Sequence, residues 1–373
     1  MMKNGFSAYF KSALFENLRV VLIVVFVSAF VFVPMLSDWQ THSFFHYVVR
    51  DNGYVDKIYE GSVMANQIPE GALKGFDTNF GIAVALVIFL SLVVPIFNFA
   101  KFKNRRNLDT LYSLPLSRRK FALAHYLSGL IAVLVPTAIG FLVEVGVIIG
   151  YGAFSFIDLG WLFVYFLLLM ITGWLFYSMN LFVFNEANHI FDGVVFVICW
   201  NLLFYVVAFP SNLLSSFFDE LATPFGYIME ILSRTEAVIE TTPFYLDWYF
   251  GFETVIAFTL LWATLGLISV VLFFARCNKQ SPERVGGISD SFFGYKLFIP
   301  LYVAPVVLFS HIGHGIRSIG DVAVFFSLAF VGYIIFRRGF KFKLSDYCTF
   351  GALVLFAIIK AAICHFDIYH FLH

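Results

Sequence analysis

Charge is scarce in this chain. Lys, Arg, Asp and Glu make up 13% of its 373 residues, about half the share of a soluble globular domain. The 24 basic residues balance 24 acidic ones, so bulk charge gives no footprint for nucleic acid or acidic substrates, and what matters is how sign divides between loops. Cysteine is scarce too. Cys199, Cys277, Cys348 and Cys364 form no CxxC pair and fall in separate segments, which argues against a disulfide framework or a metal knuckle. No GxxxxGK[ST], GxGxxG, HExxH or GxSxG occurs, so an ATP-hydrolysing site that energises this chain would lie on another polypeptide. The first apolar run follows an amphipathic stretch and lacks an A-x-A site, which predicts a retained span rather than a cleaved signal peptide.

Hydrocarbon is what the chain has instead. It is 60% hydrophobic, with 50 Phe and 18 Tyr and a mean hydropathy of +0.86, the composition of an all-α polytopic membrane protein. Residues 1–17 place Phe6, Tyr9, Phe10, Ala13 and Leu14 at helical spacing, predicting an amphipathic helix along the cytoplasmic interface. Apolar runs follow at about 18–36, 80–99, 121–150, 161–184, 193–209 and 254–275, then at 297–310, 322–336 and 348–364. The third carries Pro136, expected to kink it. Between the first two runs, 37–79 reads as an outer excursion with a short helix at Phe44 to Arg50; 210–253, rich in acids, reads as outer or re-entrant helices.

The densest charge cluster is KFKNRRNLDTLYSLPLSRRK, residues 101–120, with seven of the 24 Lys and Arg. A basic loop between two spans is held on the cytoplasmic side. With that orientation, eighteen Lys and Arg fall on the cytoplasmic side and five outside, with Lys360 inside a span. The pattern predicts nine spans in the plasma membrane, N-terminus in and C-terminus out. Asn185 to Asp192, NEANHIFD, is the exception: a cytoplasmic turn without a single Lys or Arg. Within the basic segment, Asn104 to Ser113 is expected to be helical, Pro115 to break it, and Ser117 to cap the next span.

NRRNLDTLYSLPLSRRKFALAHYLSGLI resembles the cytoplasmic segment of ABC-2 type exporter permeases, in which an arginine-rich stretch precedes a Ser-Leu-Pro-Leu/Ile-Ser-Arg turn. KQSPERVGG, after the sixth run, is similar to the Ser-Glu-Arg-Ala-Gly signature of Firmicutes permeases encoded with a BcrA-like ATPase and a GntR-type regulator. The resemblance covers about 1–287 and implies a six-helix, type V exporter-like transmembrane core at 18–286 with outer loops 37–79 and 210–253. About three further apolar helices, 287–373, lie beyond the family plan. It further implies a non-catalytic permease subunit that exports an amphipathic peptide, antimicrobial or lipid-like molecule and confers antimicrobial peptide resistance. ATP and Mg would be bound by a separate cytoplasmic ABC ATPase, with no cofactor in this chain, and a second permease, identical or related, would complete the transporter. The ATPase contact would fall on Asn104, Arg105, Arg106, Asp109, Tyr112, Pro115, Arg118 and Arg119.

Other residues invite separate readings. Glu144, inside the third run, lines a polar path or reaches water or a partner helix near the outer boundary. Lys360 is expected to snorkel outward, and Asn180 and Asn201 to bond helix to helix. The pairs His42/His46 and His311/His314 have the spacing to clip a metal if helical, against the plainer reading of scattered interfacial histidines. Two other functions stay open: a sensor or immunity protein that binds cell-wall-active peptides through its outer loops, and a membrane enzyme acting on lipid-linked substrates through its outer histidines and acids.

Overall fold

The computed structural model describes residues 6–19, 21–22, 46–49, 55–58, 81–104, 116–150, 159–208, 252–277, 282–309 and 316–365. Helix α1 covers residues 6–19. Strands β1 (His46–Val49) and β2 (Val55–Ile58) pair antiparallel, His46 opposite Ile58 and Val49 opposite Val55. Then come α2 (Gly81–Ala100), α3 (Arg118–Gly150), α4 (Leu159–Asn185), α5 (Ile190–Ala208) and α6 (Phe252–Arg276). A π-type turn, Phe292–Lys296, leads into α7 (Leu297–Phe309), followed by α8 (Ile316–Arg337) and α9 (Leu344–His365). The described residues are thus helical apart from one short hairpin and the turns between elements.

That hairpin replaces the helix expected at Phe44 to Arg50. Tyr47, Val48 and Val49 are aromatic or β-branched, and Asn52-Gly53 lies between the two strands; both features favour a ribbon over a helical turn.

Among the described residues, four segments are long and apolar enough to cross a membrane: Leu86–Lys103, Arg118–Val143, Leu162–Asn185 and Thr259–Arg276. Ile190–Leu203, Phe292–Ala304 and Phe326–Arg337 are shorter apolar helices. The expected first span lies largely outside the described residues, as do the excursion at 210–253 and the helix at Asn104 to Ser113. With 33 residues at 1.5 Å each, α3 reaches about 50 Å, well beyond the ~30 Å of bilayer hydrocarbon. It runs unbroken through Pro136.

The chain divides into two compact units. The first comprises Met1–Asn98, Pro115–Met179 and Tyr227–Asn278. Its core joins α3, α4 and α6: Phe176 meets Trp262, and Tyr126 meets Phe273 and Phe274. Buried polar groups run through that core in directed bonds. Trp174 Nε1 donates to Tyr126 Oη at 2.8 Å, and Ser178 Oγ gives its hydrogen to the Trp174 carbonyl at 2.7 Å. Tyr126 therefore donates to Ser178, at 3.0 Å.

The amphipathic helix α1 is docked on protein. Tyr9 stacks on Phe121, and Asn17 Nδ2 donates to Ser128 Oγ at 2.9 Å. Asn98 Nδ2 donates to the His125 carbonyl, which turns Asn98 Oδ1 toward His125 Nδ1 at 2.8 Å. Nδ1 thus carries the ring hydrogen, and Nε2 accepts from the Tyr9 hydroxyl at 2.6 Å. The face of α1 expected to meet lipid is in part a polar interface with α3.

The second unit comprises Phe99–Leu114, Asn180–Gly226 and Lys279–His373. Helix α7 packs between α5 and the pair α8 and α9. Phe196 of α5 meets Tyr295 and Phe298, and its ring lies so close to Gly294 that a Cβ there would stand 2.5 Å from it. Asn201 Nδ2 donates to Asn180 Oδ1 at 2.8 Å, both buried, joining α5 to α4 as expected.

Candidate functional site

The loop end of the second unit gathers segments remote in sequence, starting from NEANHIFD, the turn without Lys or Arg. His189 caps α5: its Nδ1 accepts from Phe191 N–H at 3.1 Å and its carbonyl from Gly193 N–H at 3.0 Å. Asp192 then falls in the first turn of α5, where the helix dipole favours an acid.

The two buried carboxylates of the turn find partners elsewhere. Asp192 Oδ2 accepts from Ser289 Oγ at 2.5 Å and Oδ1 from Tyr295 Oη at 3.0 Å, with Arg338 Nη2 at 3.5 Å from Oδ2. Glu186 accepts from Ser291 Oγ. Lys103, buried, donates Nζ to the carbonyl of Asn185 at 2.9 Å and to that of Ala187. Because α4 ends at Asn185, this ammonium satisfies carbonyls at a helix C-terminus, where a cation is favoured. The positive charge that the turn lacks in its own sequence comes from Lys103 and Arg338.

The segment 282–291 is stitched to the same turn. Asn188 N–H donates to Ser289 Oγ, Asn188 Nδ2 to the Ile288 carbonyl and Gly286 N–H to the Asn188 carbonyl, each at 2.8 Å. Gly286 takes φ +79°, a conformation that glycine reaches without strain. Arg338 also sits at positive φ, 53°. It occupies the position after α8 that is usually glycine, with Gly339 N–H bonded to the Ile334 carbonyl and Arg338 N–H to that of Ile335, a Schellman end. The arginine repays that strain by reach, donating to the carbonyls of Gly286 and Gly287 as well as facing Asp192.

Arg337 turns the other way. Its Nε and Nη2 each lie 2.6 Å from an Asp346 oxygen, a buried bidentate pair. Burial alone would raise the Asp346 carboxyl. The Arg337 bonds, the Lys343 N–H and the arginine charge outweigh it and hold the carboxyl below the usual carboxylate range. Arg337 is raised, first by the same bonds.

Of the residues assigned to an ATPase contact, Asn104, Arg118 and Arg119 are described and all three are exposed. Ser117 precedes α3, with its carbonyl accepting Phe121 N–H at 3.0 Å and its hydroxyl 3.5 Å from Lys120 N–H, as an N-cap should. Arg118, Arg119 and Lys120 thus fill the first turn of α3, where the dipole disfavours cations. Arg105, Arg106, Asp109, Tyr112 and Pro115 lie outside the described residues.

Glu144 falls on α3, with its side chain outside the described set, and so do His42, His311 and His314. His46 is on β1, which removes the helical i, i+4 spacing that made His42/His46 a candidate pair. Among the described residues no group of three His, Cys, Asp or Glu could hold a metal. Lys360 does not simply reach outward: its Nζ donates to the Val307 carbonyl at 2.8 Å, near the end of α7.

In the second unit the turn binds loop to loop, with its carboxylates engaged by hydroxyls and cations; in the first, α3 opens on an exposed basic turn. No family model, curated protein or solved structure matches the chain. Function therefore rests on these residues alone.

Proposed function

We infer that the chain is the transmembrane permease subunit of an ATP-driven exporter, working with a separate cytoplasmic ATPase. The observation that carries this reading is the first turn of α3. Three exposed cations stand where the helix dipole opposes them, at about 0.3–1 kcal/mol each, so they do not serve the helix that bears them. They continue directly into the apolar segment Arg118–Val143. At the other end of the basic segment, Lys103 is tied into the buried turn of the second unit. A partner pushing on 104–119 would pull on both ends.

The sequence supports the reading in two ways: it has no nucleotide-binding motif, and its 101–120 segment resembles that of ABC-2 permeases. On this account the ATPase dimer closes, the basic segment moves, and the helices on either side of it tilt to extrude an amphipathic peptide or lipid-like molecule, most simply from a pair of such permeases. Replacing Arg105, Arg106, Arg118 and Arg119 together by Ala should abolish co-purification of an ATPase and stop export, while the chain still inserts at normal level. Normal co-purification and export by that variant would refute the proposal.

A further inference from the structure

The loop joining α8 to α9 is built with two faces. Its inner face holds Arg337, bonded to buried Asp346, and Phe342, whose ring meets Phe330, Tyr333 and Tyr347. The Schellman end at Arg338 and Gly339 sets the backbone between them. The outer face carries Phe340, 74% exposed, and Leu344, 79% exposed, interleaved with exposed Lys341 and Lys343. Those two apolar side chains are more exposed than every other large apolar residue among those described, which stand at 65% or below.

Neither lysine ammonium has a carboxylate partner among the described residues. Asp346, the acid nearest them in sequence, has Oδ1 and Oδ2 taken by Arg337, with Lys343 N–H on Oδ2. The loop therefore offers two cations without a carboxylate partner among the described residues, and two apolar tips, on a preorganised backbone. It stands between the apolar runs 322–336 and 348–364, which, read as spans, would put it where hydrocarbon meets water.

We propose that Phe340, Lys341, Lys343 and Leu344 form a docking surface for anionic phospholipid. The ammonium groups meet headgroup phosphates and the apolar tips enter the acyl boundary. Both halves of the surface are needed for that partner: lysines alone would suit any anion, and apolar tips alone any lipid. The inference does not depend on the transport reading.

The test is equilibrium binding to the full chain in neutral detergent. The probes are short-chain phosphatidylglycerol, short-chain phosphatidylcholine, glycerol 3-phosphate and polyglutamate. Wild type should prefer phosphatidylglycerol. Changing Lys341→Gln with Lys343→Gln should weaken that binding roughly 25-fold, at about fivefold per cation near an anionic surface, while Lys341→Arg with Lys343→Arg should retain it. Phe340→Ser with Leu344→Ser should weaken both lipids. A wild type without headgroup preference overturns the proposal even if a variant misfolds. So does equal loss in a Lys11→Gln, Arg19→Gln control, glycerol 3-phosphate binding as tightly as the lipid, or polyglutamate binding in the lipid's place, which would mark an acidic protein as the partner.

Discussion

Lys103→Met is the sharpest perturbation of the loop clamp, because it keeps the length and apolar stem of the side chain and deletes only the charge. In the native chain the Lys103 ammonium is buried and bonded to the carbonyls of Asn185 and Ala187 beside Glu186. Hydrogen bonds from a charged donor are worth about 1.5–3 kcal/mol, and removing one member of a buried charged contact costs about 3–5 kcal/mol. The variant also escapes the desolvation penalty of a buried ammonium, so the lower figure applies, about 3 kcal/mol. At ~2–4 °C per kcal/mol for a unit of 150–250 residues, the melting temperature should fall by roughly 6–12 °C. The assay is thermal unfolding of the detergent-purified full chain by far-ultraviolet circular dichroism. Glu186→Gln and the double variant complete a cycle, in which the double change should cost less than the two singles together. A Lys103→Met protein that melts with wild type would show that the ammonium is not anchored in the turn.

Three other outcomes follow from particular contacts. Gly129→Ala would set a Cβ 2.1 Å from Tyr177 Oη and 2.7 Å from Asn98 Nδ2, and overpacking should cost about 1–3 kcal/mol. Gly146→Ala, on the same helix with nothing within 4 Å, should be neutral or gain up to about 1 kcal/mol, so comparing the two melts isolates the clash. Asn201→Leu should cost about 0.6–1.7 kcal/mol, the range for interhelical side-chain bonds in membrane bundles, measured by thermal unfolding in the same detergent. The lowered carboxyl of Asp346 contributes stability that is present above the ordinary carboxylate range and lost as pH falls through the lowered folded value. Acid titration of stability should therefore show a limb below about pH 4 that flattens in Asp346→Asn.

Helix positions were legible where a single stretch carries its own signal. The apolar runs at 161–184 and 254–275 match α4 and α6 within two residues, and Ser117 caps α3 as its type predicts. That Asn180 and Asn201 would bond helix to helix was equally plain, since an amide within an apolar helix has few other partners; that they bond to each other is a finding of the structure. The paired strands at 46–49 and 55–58 had a visible signal, β-branched residues on either side of Asn52-Gly53, which the reading of Phe44 to Arg50 as a short helix passed over. The clamp had none. Nothing local to NEANHIFD shows that Lys103 lies against it, 82 residues from Asn185, or that Ser289, Tyr295 and Arg338 converge on Asp192. Such pairings are set by helix packing, as is the bond from Lys360 to Val307. The two acids of that turn, with no Lys or Arg beside them in sequence, were the one hint that cations would come from elsewhere.

The central claim is that the basic segment between α2 and α3 meets an ATPase. A photoreactive amino acid placed at Asn104 or at Arg119 in cells tests it most directly, with the crosslinked species identified by mass spectrometry. The account predicts crosslinks from both positions to one nucleotide-hydrolysing subunit, strengthened when hydrolysis is blocked. Crosslinks to lipid alone, or to no ATPase from either position, would contradict it.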